Sequence, residues 1–399
     1  MLTLERIYQA AHTLKDVIRK TELIRSPGIV PGCELYLKAE NLQLTGSFKV
    51  RGAYFKISTL SEAERRAGVV ACSAGNHAQG VALSAQRAGL KSTIFIPSVA
   101  PLSKIESTEQ LGADIRIIDG CYDDAFAAAS AYQKESGGTF IHPFDDIDVI
   151  AGQGTLGLEI LEQAPELDAI IVPIGGGGLI SGIAFAVKRL NPGCKVYGAC
   201  AAGAEAMRLS RLERERVSLQ GVSTFADGIA VKCPGELTYK LCCEFVDEIV
   251  SVSDDEIATA ILTLMEQQKL VSEGAGAAAV AAAMFRKLPI EGKRVCAIVS
   301  GGNIDVNILS RVISRGLLAT GRMAQLKIEM LDKPGQLQEI SSIIAGIGAN
   351  VTKVLHNPGG ENMDINGCYL HISMETRNKQ QHLAIKAAIT AAGYRIVED

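Results

Sequence analysis

Four short stretches carry residues whose types and spacing could do chemistry together. In "TGSFKVRGA", Lys49 stands directly behind Phe48, among small residues and where a helical pattern begins. A lysine in crowded, poorly solvated surroundings gives up its proton more easily and becomes a nucleophile able to form a Schiff base. In "PIGGGGLISG", Gly175, Gly176, Gly177 and Gly178 separate an apolar strand from a helix. Successive backbone N–H groups at such a helix start form a cradle for an anion, phosphate above all. The run is neither G-x-G-x-x-G nor G-K-[ST], so it favours neither a dinucleotide nor a nucleoside triphosphate. In "CSAGNHAQG", Ser73, Asn76 and His77 also follow a strand and open a helix, where N–H groups and a hydroxyl can hold a carboxylate. Helix capping by Ser73 or Asn76 would explain the same residues, and a lone histidine is more often structural. "SGGN" ends an apolar strand with Ser300, placed either to bond a ligand or to make a turn. A lysine, a phosphate cradle, a carboxylate loop and a further hydroxyl together describe pyridoxal phosphate held by an α/β protein.

These stretches need elements that bring them to one edge. "GVVACS" (68–73), "STIFIP" (92–97) and "DIRIID" (114–119) are short β-branched runs, and "AIIVPI" (169–174), "KVYGAC" (195–200) and "RVCAIVS" (294–300) are apolar runs bounded by Gly or Pro. Helical patterns separate them. Continuous apolar strands alternating with helices predict parallel sheets covered on both faces, with ligands at the carboxyl ends of the strands. "AGAAAVAAAMF" (275–285) is too short to span a bilayer and reads as a core helix. Beyond residue 322 the pattern changes to β-α-β-β-α-β, ending in "YRIVED", which predicts a ferredoxin-like unit. Residues 315–324 are expected to be the linker.

The totals exclude several classes. A net charge of −4 lacks the clustered Lys/Arg that nucleic acid binding needs. No stretch approaches a membrane span, and the N-terminus reads as an amphipathic helix without a signal-peptide core. The ten cysteines are scattered with no C-x-x-C spacing, which predicts reduced thiols and a cytoplasmic location.

The ordered motifs "TGSFKVRGA", "SAGNHAQGVA", "HPFDD", "IAGQGT", "PIGGGGLISG", "SEGAGAA" and "VSGGN" resemble the fold-type II pyridoxal-phosphate family, and within it the threonine ammonia-lyases. The resemblance covers residues 1 to about 320, and the tail with "LDKPGQL" looks like an ACT domain, a module that commonly binds amino-acid effectors. It implies a catalytic domain over 1–320, with a mobile smaller subdomain at about 50–150, and an ACT regulatory domain over 324–399. It also implies that Lys49 carries pyridoxal 5'-phosphate and moves the Cα proton. Phe48 would pack on the ring, Asn76 would bond its 3-hydroxyl, and Gly175 to Gly178 would hold the phosphate. Ser300 would meet the ring nitrogen, and Ser73, Asn76 and His77 would bind the substrate carboxylate. The implied reaction is deamination of L-threonine to 2-oxobutanoate by β-elimination, with L-serine giving pyruvate. Serine racemases of the family carry a serine where this chain has Ala74, and β-replacement synthases favour a Thr-rich loop there. The racemases' divalent-cation motif is also absent from "ACAAGAEAM", so no metal is expected. Effector contacts would fall at Asp332, Gly335, Gln336, Leu337 and Asn350, between two copies in a homodimer or homotetramer. Glu273 in "SEGAGAA" would either face the cofactor or serve as a helix-start acid.

Overall fold

A computed structural model describes residues 1–100, 102–358 and 366–397, apart from the side chain at 103. Its contacts divide the chain into Met1–Ile308 and Leu309–Asp399.

The first unit holds two sheets. The larger runs in the order Leu23–Arg25, Glu34–Ala39, Arg294–Val299, Ala169–Pro173, Lys195–Ala201, Glu248–Val252. All neighbours are parallel except the first pair. The smaller runs Asp114–Ile118, Ser92–Pro97, Val69–Cys72, Thr139–Phe140, parallel throughout. The central strands are buried along their whole length, as helices on both faces require. The alanine-rich segment is the core helix Gly274–Met284. Glu34–Ala39 escaped the apolar pattern because Lys38 lies within it, fully buried. Lys38 Nζ reaches Glu159 Oε2 at 2.8 Å and the Thr21 carbonyl at 2.6 Å.

Three helices, Lys49–Ser58, Ile147–Gln163 and Gly178–Leu190, pack so closely that glycine is obligatory where they touch. A Cβ on Gly52 would stand 2.6 Å from the Val149 oxygen, and one on Gly152 would stand 2.6 Å from the Gly52 Cα. A Cβ on Gly182 would stand 2.6 Å from the Gly154 nitrogen. Behind the same block lies a buried ion network. Arg51 bonds Glu40 at 2.7 Å and Glu159 at 2.6 Å, and Glu159 also takes Lys38. Burial alone would lower the Arg51 pKa, but the two carboxylates outweigh it and raise it.

The second unit starts inside the helix Val306–Thr320, which replaces most of the expected linker at 315–324. Its strands order as Asn350–Pro358, Gly367–Glu375, Met323–Leu331, Arg395–Val397, all antiparallel, with the helices Gln336–Gly346 and Lys379–Ala391 between them in the chain. This is the expected ferredoxin-like β-α-β-β-α-β order. Residues 398–399 of "YRIVED" lie outside the described residues. Leu326, Ile328, Leu370 and Ile372 alternate inward to meet Ile340, Ile344, Ile385 and Ile389 from the two helices.

Candidate active site

The helix Lys49–Ser58 opens on Lys49, with Phe48 as its N-cap. The Phe48 N–H donates to the Ser300 carbonyl at 3.2 Å, and Ser47 bridges Gly301, so the loop before Lys49 is stitched to the end of strand Arg294–Val299. Thus Ser300, far in sequence from Phe48 and Lys49, meets them at one strand end. Lys49 Nζ donates to the Pro143 carbonyl at 2.9 Å and lies 5.3 Å from the centre of the Phe48 ring. Burial pushes the Lys49 pKa down to about 8, and the charge on Glu273 offsets only part of that. An amine in this state is neutral in part of the population near pH 8 and can act as a nucleophile or base.

Gly178 begins the helix Gly178–Leu190, capped by Gly177 at φ +95°. A Cβ on Gly178 would stand 2.9 Å from Phe144, one on Gly177 2.6 Å from Met207, and one on Gly175 2.8 Å from the Ile229 Cα; one on Gly176 would also meet Phe144. The protein's own packing therefore demands all four glycines, and the helix start supplies the unpaired N–H groups. Thr238 Oγ1 fixes the turn by donating to the Gly176 carbonyl at 2.6 Å.

The loop 142–145 joins the two features. The His142 Nδ1 accepts from the N–H groups of Phe144 and Asp145 at 3.2 and 2.8 Å, which points the Pro143 carbonyl at Lys49. Asp145 caps the helix Glu236–Phe245 by accepting from the N–H groups of Glu236, Leu237 and Thr238.

Asn76 begins the helix Asn76–Ala88. Its Nδ2 donates to Glu273 Oε1 at 2.6 Å, and its Oδ1 accepts from Asn303 at 2.7 Å. Asn303 also reaches the Thr45 carbonyl at 2.7 Å, so the amide chain ties the "SAGNHAQG" loop to the Lys49 loop. Glu273 is the N-cap residue of Gly274–Met284, without a side-chain capping bond, and its carboxylate accepts from Asn76. Burial raises its pKa, against the Asn76 hydrogen bond and the nearby Lys104 and Lys49. The Ser73 hydroxyl accepts from the Gly75 N–H at 3.2 Å. The His77 ring is turned inward, which leaves its backbone N–H for the expected carboxylate contact. Its buried Nε2 lies 2.7 Å from the Ile141 carbonyl, and burial drives its pKa to about 3, so the side chain is a neutral structural group. Sequence reasoning gives Asn303, Asp145 and Thr238 no role; Asn303 lies within the quoted motif "VSGGN" and Asp145 within "HPFDD", while Thr238 lies in no quoted motif.

The residues present fit pyridoxal phosphate. A Cβ on Gly75 would have nothing within 4 Å, so packing does not ask for a glycine there and the loop offers an open face. Thr45 Oγ1 and Ser47 Oγ, just ahead of Lys49, are buried without a hydrogen-bond partner among the described residues. The donor set of a depressed lysine, an aromatic face, a helix start and a neutral hydroxyl matches what the cofactor needs. A groove of about 830 Å³ lined by Tyr8, Leu14, Ile18, Leu158 and Leu190 includes none of these residues.

In the C-terminal unit, Gly335 caps the helix Gln336–Gly346 at φ +95°, Leu337 is exposed, and Asp332 follows strand Met323–Leu331. Asn350 pairs with Glu375, which also pairs with Met323, so Asn350 lies at the opposite end of the sheet from Asp332. One chain does not bring these two expected effector contacts together.

Comparison with known proteins agrees with this geometry. The family described as pyridoxal-phosphate dependent enzyme matches residues 14–301. The L-threonine ammonia-lyase of Thermotoga maritima is 48% identical over 99% of this chain and 99% of its own. The processed form of threonine deaminase isoform 2 from Solanum lycopersicum superposes with a TM-score of 0.75 at 37% identity, covering 79% of this chain and 88% of that one. Maize serine racemase superposes equally, TM-score 0.75 at 35% identity over 80% and 98%. The fold alone therefore does not separate lyase from racemase, and the full-length likeness does the finer sorting. The chain belongs to the threonine ammonia-lyase family of fold-type II, pyridoxal-phosphate-dependent enzymes.

Proposed function

We propose that the protein deaminates L-threonine to 2-oxobutanoate and ammonia, and L-serine to pyruvate and ammonia by the same route. The observation that carries this reading is Lys49, its pKa lowered to about 8 at a helix start, beside the Phe48 ring and bonded to the Pro143 carbonyl, next to Phe144 against which Gly176 and Gly178 pack. When bound, pyridoxal phosphate would draw electrons from the amino acid's Cα and make its proton removable. Lys49 would hold the cofactor at rest, and its freed amine would take that proton. Gly175 to Gly178 would bind the phosphate through backbone N–H groups, and Phe48 would support the ring. The second hydrogen of the Asn76 amide would serve the ring hydroxyl, and the Ser300 hydroxyl would face the ring nitrogen without charging it. A neutral partner there favours early loss of the β-hydroxyl over a long-lived carbanion. Water lost in the elimination returns when the imine hydrolyses, so the reaction needs no other reagent.

Ala74 supports the lyase over the racemase reading. Ala74 lacks the hydroxyl that the family's racemases place directly ahead of the Gly-Asn pair to reprotonate from the opposite face. The C-terminal unit would act as an ACT-type sensor of an amino-acid effector, shared between copies of a homodimer or homotetramer. Because Asp332 and Asn350 occupy opposite sheet ends, each effector would need one contact from each of two copies. Free thiols at all ten cysteines fit a reducing, cytoplasmic setting. Among the described residues no helix is long and apolar enough to cross a membrane.

The test is an absorbance spectrum of the purified protein followed by 2-oxobutanoate release from L-threonine. A cofactor band with keto-acid release, both lost in Lys49→Ala, is the expected result. A band with no keto acid from threonine or serine would overturn the substrate, and no band on adding pyridoxal phosphate would overturn the role of Lys49. For the sensor, unchanged activity and unchanged thermal stability across isoleucine and valine titrations would overturn the regulation by branched-chain amino acids.

A further inference from the structure

The register of the C-terminal sheet sets three metal-ligating side chains side by side. In an antiparallel pair, residues directly opposite point to the same face, as do residues two apart on one strand. His356 lies opposite Leu370, and Cys368 is two residues from Leu370. Met330 also lies opposite Cys368, and the Asp332 N–H extends that ladder by donating to the Asn366 carbonyl at 2.7 Å. Leu370, Cys368 and Met330 are buried on the face covered by the two helices. His356, Cys368 and Asp332 therefore project from three neighbouring chain segments onto that face at one end of the sheet. Their ligand atoms all lie within 4.8 Å of one another, and His356 Nε2 stands 3.3 Å from Asp332 Oδ1. Among the described residues no other trio of His, Cys, Asp or Glu comes together in this way.

We propose that Asp332, His356 and Cys368 bind a zinc-type divalent transition metal ion. The donor set decides the class: a thiolate with an imidazole selects zinc and its neighbours over magnesium and calcium, which take oxygen ligands. Ligands of a tetrahedral zinc site stand about 3.5 Å apart, so the observed cluster needs only a small contraction. Three protein ligands leave a fourth position to water or an exchangeable ligand. A thiol binds such an ion as the thiolate, so binding releases its proton to solvent. His356 and Asp332 are open to solvent on one side, 39% and 56% exposed in their side chains, while Cys368 closes the site from the core. The ion would share Asp332 with the proposed effector loop, which makes this end of the sheet a place where metal and effector influence each other.

The experiment uses the full-length holoenzyme, cleared of metal with a chelator and then titrated with Zn²⁺ by calorimetry. One equivalent per chain is expected, with binding weakened at least tenfold in His356→Gln and in Cys368→Ser. His356→Gln is the decisive variant, because the side chain is largely outside the core and its loss does not threaten folding. Cys243→Ser, at an exposed cysteine elsewhere, should bind as the native chain does. With Co²⁺ in place of zinc, a thiolate-to-metal absorption band is expected and should vanish in Cys368→Ser. Absence of stoichiometric binding overturns the site, and so does zinc binding that His356→Gln leaves unchanged, since the ion would then sit on other thiols.

Discussion

Lys49 and Arg51 share one turn of one helix and meet opposite fates. Arg51 is fully buried among Glu40 and Glu159, hydrogen-bonded on every side, and its charge is locked in. Lys49 has a backbone carbonyl as its hydrogen-bond partner, with the Glu273 charge only partly compensating for burial. Arg51 is fully buried and Lys49 half-buried, and the deciding difference lies in the counter-charge. A paired cation becomes part of the scaffold, and an under-compensated one becomes reactive.

That contrast can be broken in stages. The largest effect falls on catalysis. Lys49→Ala should reduce deamination by at least about 10³-fold, the upper range for loss of a general base, with the fold intact by circular dichroism. A residual rate near the native one would place the base elsewhere. Next comes Arg51→Met, which strands Glu40 and Glu159 without their partner. It should lower stability by ~3–5 kcal/mol, read as an earlier midpoint in urea, while the Lys49 pKa stays near its native value. A mild loss would mean that Lys38 alone can hold both carboxylates.

The third effect depends on pH. The folded pKa of Lys49, about 8, lies below its ordinary value of 10.5, so between those limits the unfolded chain binds more protons. The penalty of charging the buried amine is complete below about pH 8 and fades as pH rises to 10.5. Lys49→Met should therefore stabilise the cofactor-free protein at pH 7, by up to about 3 kcal/mol, and the advantage should shrink by pH 10. Equal midpoints for both proteins at both pH values would show that the amine is solvated after all. The smallest effect is expected from Ala74→Ser, which should keep deamination and add slow formation of D-serine from L-serine by chiral analysis. If no D-serine forms, the residue ahead of Gly75 does not separate the two activities.

Much of this was legible in the chain. "STIFIP" and "AIIVPI" became strands almost residue for residue, because a short run rich in β-branched apolar residues and closed by Pro or Gly has few other uses. The glycine run and Lys49 could be read because their backbone positions, a strand end and a helix start, follow from local pattern. Side-chain direction could not. His77 sits in the right loop, yet its ring is spent on the Ile141 carbonyl, and Asn76, its neighbour, reaches Glu273 across the fold instead. Asp145 reads as one acid of "HPFDD", and nothing nearby in sequence announces that it caps a helix beginning at Glu236. Glu34–Ala39 was hidden by Lys38, whose partners lie on other elements. The expected linker proved helical to Thr320, since "VNILSRVISRGLLAT" carries its own apolar stripe.

The glycine contacts among the three helices set a fixed length inside the enzyme. Gly52 touches the helix that contains Gly152, and Gly154 of that helix touches Gly182, in the helix that begins at the glycine run. The reactive amine and the glycine run are thus measured off one another by backbone against backbone, with no side chain between to serve as a spacer. Such a gauge has no adjustable part. The loop from Ser73 to Asn76 lies outside these contacts, so a change there leaves the span from Lys49 to the glycine run as it is.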